Sequence, residues 1–524
     1  MHPIHPRSIP LFGAILAILL FVGCTGLPTG GDRTPTTAVK ASRGTLASVV
    51  QPRLVAHPGQ SGLHPLADAR DALAARLVLA DEAEGSLDVQ YFIWSKDIVG
   101  KVLVERLFRA ADRGVRVRLL LDDLGTMPSD SILLAIDSHP NIEVRMFNPV
   151  AMRSLRVLGM VADFARINRR MHNKSFTADG QVAIVGGRNI GDEYYGASTG
   201  PNYADLDVAV IGPVVKEVSN DFDLYWNHPA AVPISALSRQ NSTPERLAAK
   251  RAELREHHKR AEHSEYADTV RVSDFARQVR NRNVAFSWGR ASIMSDHPDK
   301  VLSSSSETET HLAPKLREVV DATKGELFLV SPYFVPGKEG VELLAKVRQR
   351  GARVVVVTNS LASTDGIAVH SGYKRYRKPL LKAGIELYEI KPTASTRRGR
   401  NRGGGFFGSG GASGSSGASL HAKTFSFDRR IGFIGSYNLD PRSSRLNTEM
   451  GVLFDCPTLV KQLPETTERD LDRNAYRLKL DGNRLVWITQ EGGKEVRLES
   501  EPGASAWKRA KVQVLSWLPI EGLL

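Results

Sequence analysis

Two stretches of this chain set a histidine, a lysine and an aspartate at one spacing: His172-Asn173-Lys174-Ser175-Phe176-Thr177-Ala178-Asp179 and His421-Ala422-Lys423-Thr424-Phe425-Ser426-Phe427-Asp428. Residues i and i+2 on a strand share a face, so each histidine and its lysine can converge on one phosphate. An imidazole with an ordinary pKa of ~6.5 can serve as nucleophile or as proton donor, and two of them can divide those tasks. Lysine supplies a compact positive charge for non-bridging phosphate oxygens. Two lysines can thereby replace the metal ion that phosphodiester chemistry otherwise uses, and neither a metal nor a cofactor is expected.

Each motif leads into an apolar strand and a small-residue turn, Val182-Ala183-Ile184-Val185-Gly186-Gly187-Arg188-Asn189 and Ile431-Gly432-Phe433-Ile434-Gly435-Ser436-Tyr437-Asn438. The amides of Asn189 and Asn438, 17 residues after their histidines, and the hydroxyl of Ser436 are candidate hydrogen-bond donors to substrate. A working histidine needs an acceptor on its other ring nitrogen. Aligning Ala204-Asp205-Leu206 with Thr448-Glu449-Met450 offers Asp205 and Glu449 for that role. Asp179 and Asp428 complete the catalytic motifs, and from their strand-to-turn positions they are expected to fix the turn and the lysine rather than touch substrate. One His-x-Lys is weak evidence, but two complete copies with matching downstream asparagines are specific.

The elements around the motifs are duplicated as well. A helical pattern from Leu66 to Ala83 leads into the strand-like run Leu87 to Ile93, a helix from Val99 to Asp112 and a buried strand ending at Leu121. The second copy has a helix from Pro314 to Thr323, a strand from Leu327 to Phe334, a helix to Gln349 and a strand through Val357. Tyr91 matches Tyr333, Arg113-Gly114 matches Arg350-Gly351, and Pro149 matches Pro392, at offsets of 242, 237 and 243. Helices alternating with strands in both copies predict an α/β protein of two facing domains, 61–235 and 286–460. Residues 236–285, with Arg246, Lys250, Arg251, Arg255, Lys259 and Arg260, read as a solvated helical linker. The Arg-rich, then Gly/Ser-rich segment 397–419 reads as a mobile surface loop, with a lid as its functional alternative.

The 524 residues are 42% hydrophobic, enough for a sizeable core, and the formal charge of +13 suits an anionic partner without choosing between nucleic acid and phospholipid. The N-terminus helps decide. An apolar run from Ile9 to Val22 has the length of a signal-peptide core, and Leu20-Phe21-Val22-Gly23-Cys24 resembles the lipobox of bacterial lipoproteins. That resemblance implies a leader over 1–24, lipidation at Cys24 and a periplasm-facing lipoprotein, with Thr25 rather than Asp favouring the outer membrane. Residues 25–60, rich in Thr, Pro, Gly and Ser, are then expected to be a flexible tether. Cys456 is the only other cysteine, so no internal disulfide or zinc cluster is expected. In the C-terminal extension, 461–524, Trp507, Ala510, Val514, Trp517 and Leu518 share one side of a helix, which serves a membrane interface or a packed terminal helix equally well.

The paired motifs resemble those of the phospholipase D superfamily. Gly186-Gly187-Arg188-Asn189-Ile190-Gly191-Asp192-Glu193-Tyr194, Asn438-Leu439-Asp440-Pro441-Arg442-Ser443 and Trp517-Leu518-Pro519-Ile520-Glu521 are similar to its bacterial cardiolipin synthase C-type branch, although Gly522 stands where that branch tends to carry an aromatic residue. The resemblance implies two pseudo-symmetric domains, each a mixed sheet flanked by helices, with one active site at their interface, a phosphohistidine intermediate and no metal. It implies His172 as nucleophile and His421 as general acid and base, an order the near-symmetry of the half-sites could reverse. The implied substrates are phosphatidylglycerol and phosphatidylethanolamine at a membrane surface, with no nucleic acid and no inferable protein partner. A lipid hydroxyl as acceptor gives cardiolipin; water gives phosphatidic acid; motif spacing is compatible with both. An endonuclease and a non-catalytic headgroup-binding lipoprotein are the rivals. The lipobox and amphipathic tail weigh against the first, the complete residue sets against the second.

Overall fold

The computed structural model describes residues 27, 29–238, 243–303, 310–392, 418–519 and 521–523. The expected leader with Cys24, and most of the 397–419 loop, lie outside the described residues.

Each half of the chain builds one mixed sheet. The first contains β1 (Ser61–Leu66), β2 (Ser86–Tyr91), β3 (Arg116–Asp122), β4 (Ile142–Phe147), β5 (Ser175–Ala178), β6 (Val182–Gly186), β8 (Asp207–Ile211) and β9 (Ala231–Pro233), with the short β7 (Asn202–Ala204) outside it. Its spatial order is β1-β8-β6-β5-β2-β3-β4-β9, parallel across β2-β3-β4 and antiparallel elsewhere. The second contains β10 (Ser287–Ser295), β11 (Glu326–Val330), β12 (Arg353–Asn359), β13 (Glu386–Ile390), β15 (Lys423–Phe427), β16 (Ile431–Gly435), β17 (Met450–Asp455) and β18 (Ala475–Asp481), with β14 (Ala418–Leu420) set apart. Its order, β10-β17-β16-β15-β11-β12-β13-β18, repeats the first strand for strand. A hairpin of β19 (Arg484–Glu491) and β20 (Lys494–Leu498) extends it.

The parallel strands carry continuous apolar runs, such as Leu119-Leu120-Leu121 and Val354 to Val357, because helices cover both faces. One face is covered by helices in the predicted places, Ala69–Glu82 and Ile98–Asp112 in one half and Leu312–Ala322 and Gly337–Gln349 in the other, and the opposite face by Pro213–Trp226 and Gln462–Asn474. Asp68 and Asp97 start the first pair by accepting backbone N–H groups of Arg70 and Asp71 and of Gly100.

The two lobes are welded. β1 and β10 pair antiparallel, and Ala183, Val185, Val208 and Val210 share one buried cluster with Ile434, Val452 and Phe454 of the other lobe. At ~1.5–3 kcal/mol for each large apolar side chain removed from water, this interface is a core in its own right.

Three segments depart from expectation. The tether is not featureless: residues 34–41 lie along the first lobe, where Arg118 and Arg145 donate to the carbonyls of Thr36 and Thr34 and the Asp223 carboxylate accepts from Ala38 N–H. A helix, Thr45–Ala56, follows with Leu46, Ala47 and Val50 buried. Its Thr/Pro/Gly-rich approach is held by backbone hydrogen bonds to arginines distant in sequence, which composition does not register. The linker, helices Pro244–Glu262, Glu265–Arg271 and Asp274–Arg280, is packed rather than simply solvated. Arg255 pairs with Asp112 at 2.8 Å, Tyr266 Oη donates to the Tyr195 carbonyl at 2.6 Å, and Val270, Phe275 and Ala276 are buried. Finally, the second sheet continues past residue 460, through β18 to β20, into what reads in sequence as an extension.

Candidate active site

Each motif histidine sits just before the edge where its lobe meets the other. β7 and β14 pair parallel, with Ala204 opposite Leu420, and this sets Asp205 beside His421. The isolated parallel bridge between Met171 and Thr448 sets His172 beside Glu449 in the same way. Backbone N–H groups lock both registers: His172 donates to the Thr448 carbonyl and His421 to the Ala204 carbonyl, each at 2.8 Å.

The side chains then cross the interface. Nδ1 of His172 lies 2.8 Å from Glu449 Oε2, and Nδ1 of His421 lies 2.5 Å from Asp205 Oδ2. Each imidazole is oriented by a carboxylate of the opposite lobe, which leaves Nε2 as the nitrogen free for chemistry. Lys174 Nζ donates to the His172 carbonyl at 2.5 Å and lies 5.4 Å from the Phe92 ring. Lys423 Nζ is 2.9 Å from Nδ1 and 3.2 Å from Nε2 of His421. All six groups are buried.

Burial and the neighbouring cations together depress the basic groups. Burial, then the charges of Lys174, Lys423, His421 and Arg442, push His172 well below the usual imidazole range. His421 is lowered by burial and by Lys423, against the pull of Asp205. Burial also lowers Lys174 well below its ordinary value and brings Lys423 down to about 8. Burial raises Glu449 despite the neighbouring Lys174; at Asp205 the penalty of burial is outweighed by His421 and Lys423, and the carboxyl stays ionised. Lys174, Lys423 and Arg442 set positive charge around His172, opposed by the Glu449 carboxylate on Nδ1, so an arriving phosphate anion is electrostatically matched to the site. Among the described residues, no group of three or more His, Cys, Asp or Glu is arranged to hold a metal ion.

The motif aspartates fix their turns as expected but do not hold the lysines, and Ser436 and Asn189 have duties other than those expected. Asp179 and Asp428 do not reach the histidines or lysines. Asp179 accepts the N–H groups of Glu84, Gly85 and Ser86 at 2.7–3.0 Å, and Asp428 accepts those of Lys324, Gly325 and Glu326 at 2.6–3.1 Å. Both are non-glycine residues at positive φ, 55° and 54°, a conformation that aspartate tolerates better than most. Each therefore clamps the turn after its motif strand to the start of the adjacent antiparallel strand, β2 or β11. Ser436 supports Glu449 rather than facing substrate, donating to Oε2 at 2.5 Å. Asn189 spends its amide on protein, accepting from Ile93 N–H at 3.2 Å and donating to Tyr194 Oη at 2.9 Å. Asn438 is buried beside the site, and its side-chain oxygen has no hydrogen-bond partner among the described residues.

Other contributors are visible only in three dimensions. Ser443, placed by the Asp440 cap, donates to Glu449 Oε1 at 2.7 Å, so the carboxylate is held by two serines and one imidazole. Buried Arg188 donates to the Asp205 carbonyl and to those of Leu66 and Ala67. Gly187 permits the approach of Asp205, since a Cβ there would stand 2.2 Å from Oδ1. Phe92 meets the His172 ring edge-on at 5.1 Å, while Tyr194 and Tyr203 flank His421 at 5.2 and 5.1 Å. Ser443 and Arg188 lie in motifs legible in the sequence; the aromatic walls carry no local signal.

The expected terminal stripe faces solvent. The helix Ala506–Leu515 packs through Val512 against Leu361 and Ala504, leaving Trp507 78%, Val514 54% and Trp517 72% exposed. No helix among the described residues is long and apolar enough to cross a membrane.

Comparison with known proteins gives a consistent picture. A family model described as cardiolipin synthase, phospholipase D-like domain, matches residues 77–226 and 316–471. Cardiolipin synthase C of Escherichia coli K12 is 45% identical over 484 residues, covering 91% of this chain and 99% of that protein. The major cardiolipin synthase of Bacillus subtilis is 26% identical, covering 78% of this chain and 68% of its own length. Among solved structures, a phosphatidylserine synthase of Haemophilus influenzae superposes with a TM-score of 0.55 at 13% identity, covering 88% of this chain and 95% of that one, a likeness of fold.

Proposed function

The chain belongs to the cardiolipin synthase family of phospholipase D-like proteins, and from that premise we propose that it transfers a phosphatidyl group between phospholipids through a covalent phosphohistidine. The observation that carries this reading is the crossed pairing of His172 with Glu449 and of His421 with Asp205, which puts two imidazoles and two lysines within range of one another's charges in a buried site.

Nε2 of His172, neutral because its pKa is depressed, attacks phosphorus. The bond from phosphorus to the leaving alcohol breaks, and the alcohol takes a proton from Nε2 of His421. The hydroxyl of an acceptor lipid next gives its proton to His421 while its oxygen attacks phosphorus; the P–N bond breaks and His172 returns to its neutral form. Lys174 and Lys423 balance the charge that gathers on the non-bridging oxygens. Phosphatidylglycerol and phosphatidylethanolamine are the proposed substrates. The protein works at a membrane surface, held by a lipid on Cys24 and by the exposed face of the terminal helix, on the periplasmic side of the envelope.

The purified protein is incubated with labelled phosphatidylglycerol and phosphatidylethanolamine, and separately with plasmid DNA. Cardiolipin supports the proposal; phosphatidic acid alone makes the enzyme a hydrolase, nicked DNA makes it a nuclease, and no product refutes catalysis. His172→Ala and His421→Ala should each abolish turnover, and a chelator should leave it intact.

A further inference from the structure

Seven of the sixteen large hydrophobic side chains that the described residues expose lie in two neighbouring loops of the first lobe. Leu124 and Met127 are in the loop after β3. Leu155, Val157, Leu158, Val161 and Phe164 are in the connection from β4 to the first motif, a 3₁₀ turn, Arg153–Leu155, followed by helices Arg156–Ala162 and Phe164–Ile167. Val157 is 77% and Val161 67% exposed. An apolar face of this kind is rare on a protein surface unless something covers it.

The segment is rooted by its polar side. Arg153 pairs with Asp123 and Asp130, Arg156 with Asp123 at 3.3 Å, and Asn148 Nδ2 donates to the carbonyls of Arg166 and Arg169 at 3.0 and 2.8 Å. Arg170 then pairs with Asp122 at 3.0 Å, and Asp122 also accepts Met171 N–H, one residue before His172. The apolar face is therefore fixed to the rim of the catalytic pocket, at the C-terminal ends of β3 and β4. Of the five arginines in residues 151–170, Arg153, Arg156, Arg166 and Arg170 pair with aspartates, while Arg169 donates to the Lys300 carbonyl at 3.2 Å and keeps a positive charge in the segment, suited to an anionic headgroup. The pseudo-symmetric rim of the second lobe, the loop after β12, carries the exposed terminal helix, whose Lys508 Nζ donates to the carbonyls of Ala362 and Thr364.

We propose that the segment 153–167 and the loop at Met127 form a second membrane-docking collar, which inserts into a bilayer of anionic phospholipid and, with the terminal helix, presses the mouth of the active site onto the lipid surface. The inference rests on the lipid-transfer reading above for its purpose but is tested without turnover. In the full chain carrying Cys24→Ser, an environment-sensitive fluorophore is placed at Val157→Cys, Val161→Cys, Trp517→Cys or Gln349→Cys. Gln349 is exposed at the opposite, N-terminal end of β12.

Vesicles of phosphatidylethanolamine and phosphatidylglycerol should shift emission at 157, 161 and 517 to the blue and make all three quenchable by nitroxide-labelled acyl chains. The label at 349 should not change. Aqueous emission at 157 and 161 while 517 shifts overturns the collar and leaves the terminal helix as the docking element. Equal shifts on phosphatidylcholine alone overturn its anionic preference, and no shift at any position overturns docking altogether. Failure of the transfer assay leaves these readings unaffected, so the two ideas fail separately.

Discussion

At the scale of single residues, the site is governed by how little water reaches it. Two lysines buried next to two imidazoles weaken one another's protons, and the consequence is a pH dependence. Lys423, lowered to about 8, is charged below that value and loses its charge above it. The stabilisation it lends to the phosphate should fade as pH rises through the same range. kcat/KM measured on a dispersed short-chain phospholipid with p-nitrophenol as leaving group, which departs without the proton of His421, is expected to fall above pH about 8, whereas neutral His172 stays competent well into the acid range. Lys423→Arg, whose guanidinium does not titrate there, should move the alkaline limb upward. A profile flat through that region, or a limb unmoved by the substitution, would show that the charge of Lys423 does not matter to turnover.

At the scale of elements, the aspartate of each motif belongs to the scaffold. Asp179 is buried and accepts three backbone N–H groups at the start of β2, whereas Asp428 makes the corresponding bonds at an exposed position. Removing a charged acceptor from buried donors costs more than removing it from donors that water can reach. Asp179→Ala should cost about 3 kcal/mol of unfolding free energy and Asp428→Ala about 1 kcal/mol. Denaturant titration reads both, and loss of turnover in Asp179→Ala protein that keeps its parent stability would return this residue to the chemistry. The same scale explains the terminal helix: one valine, Val512, is its buried anchor, which leaves its tryptophans to solvent.

At the scale of the molecule, the duplication is functional because the halves exchange their orienting groups. A change in one lobe should therefore damage the histidine of the other. Glu449→Gln, in the second lobe, should slow formation of the covalent intermediate on His172, and Asp205→Asn, in the first, should slow proton transfer by His421, each by roughly 10²–10⁴-fold. A substrate with p-nitrophenol as leaving group needs no acid to depart. It should restore intermediate formation in Asp205→Asn and not in Glu449→Gln. Mass spectrometry of the quenched enzyme measures the intermediate, and rescue of both variants or of neither would break the assignment of roles.

Much of this was determined locally. His-x-Lys on a strand, the aspartate at the turn and the alternation of helix and strand each follow from spacing and residue type, and their repetition at matching offsets specifies two like lobes. The candidate orienters Asp205 and Glu449 were legible from the same alignment. Their crossed partners were not, because the parallel pairings of β7 with β14 and of Met171 with Thr448 join residues more than two hundred positions apart. Only the folded chain could assign Ser436 to Glu449 and Asn189 to Tyr194, or settle residues 34–41 against Arg118 and Arg145. A side chain's type and spacing fix what it can donate or accept; which partner it meets depends on where the sheets and the interface bring the backbone, and that is a property of the whole chain.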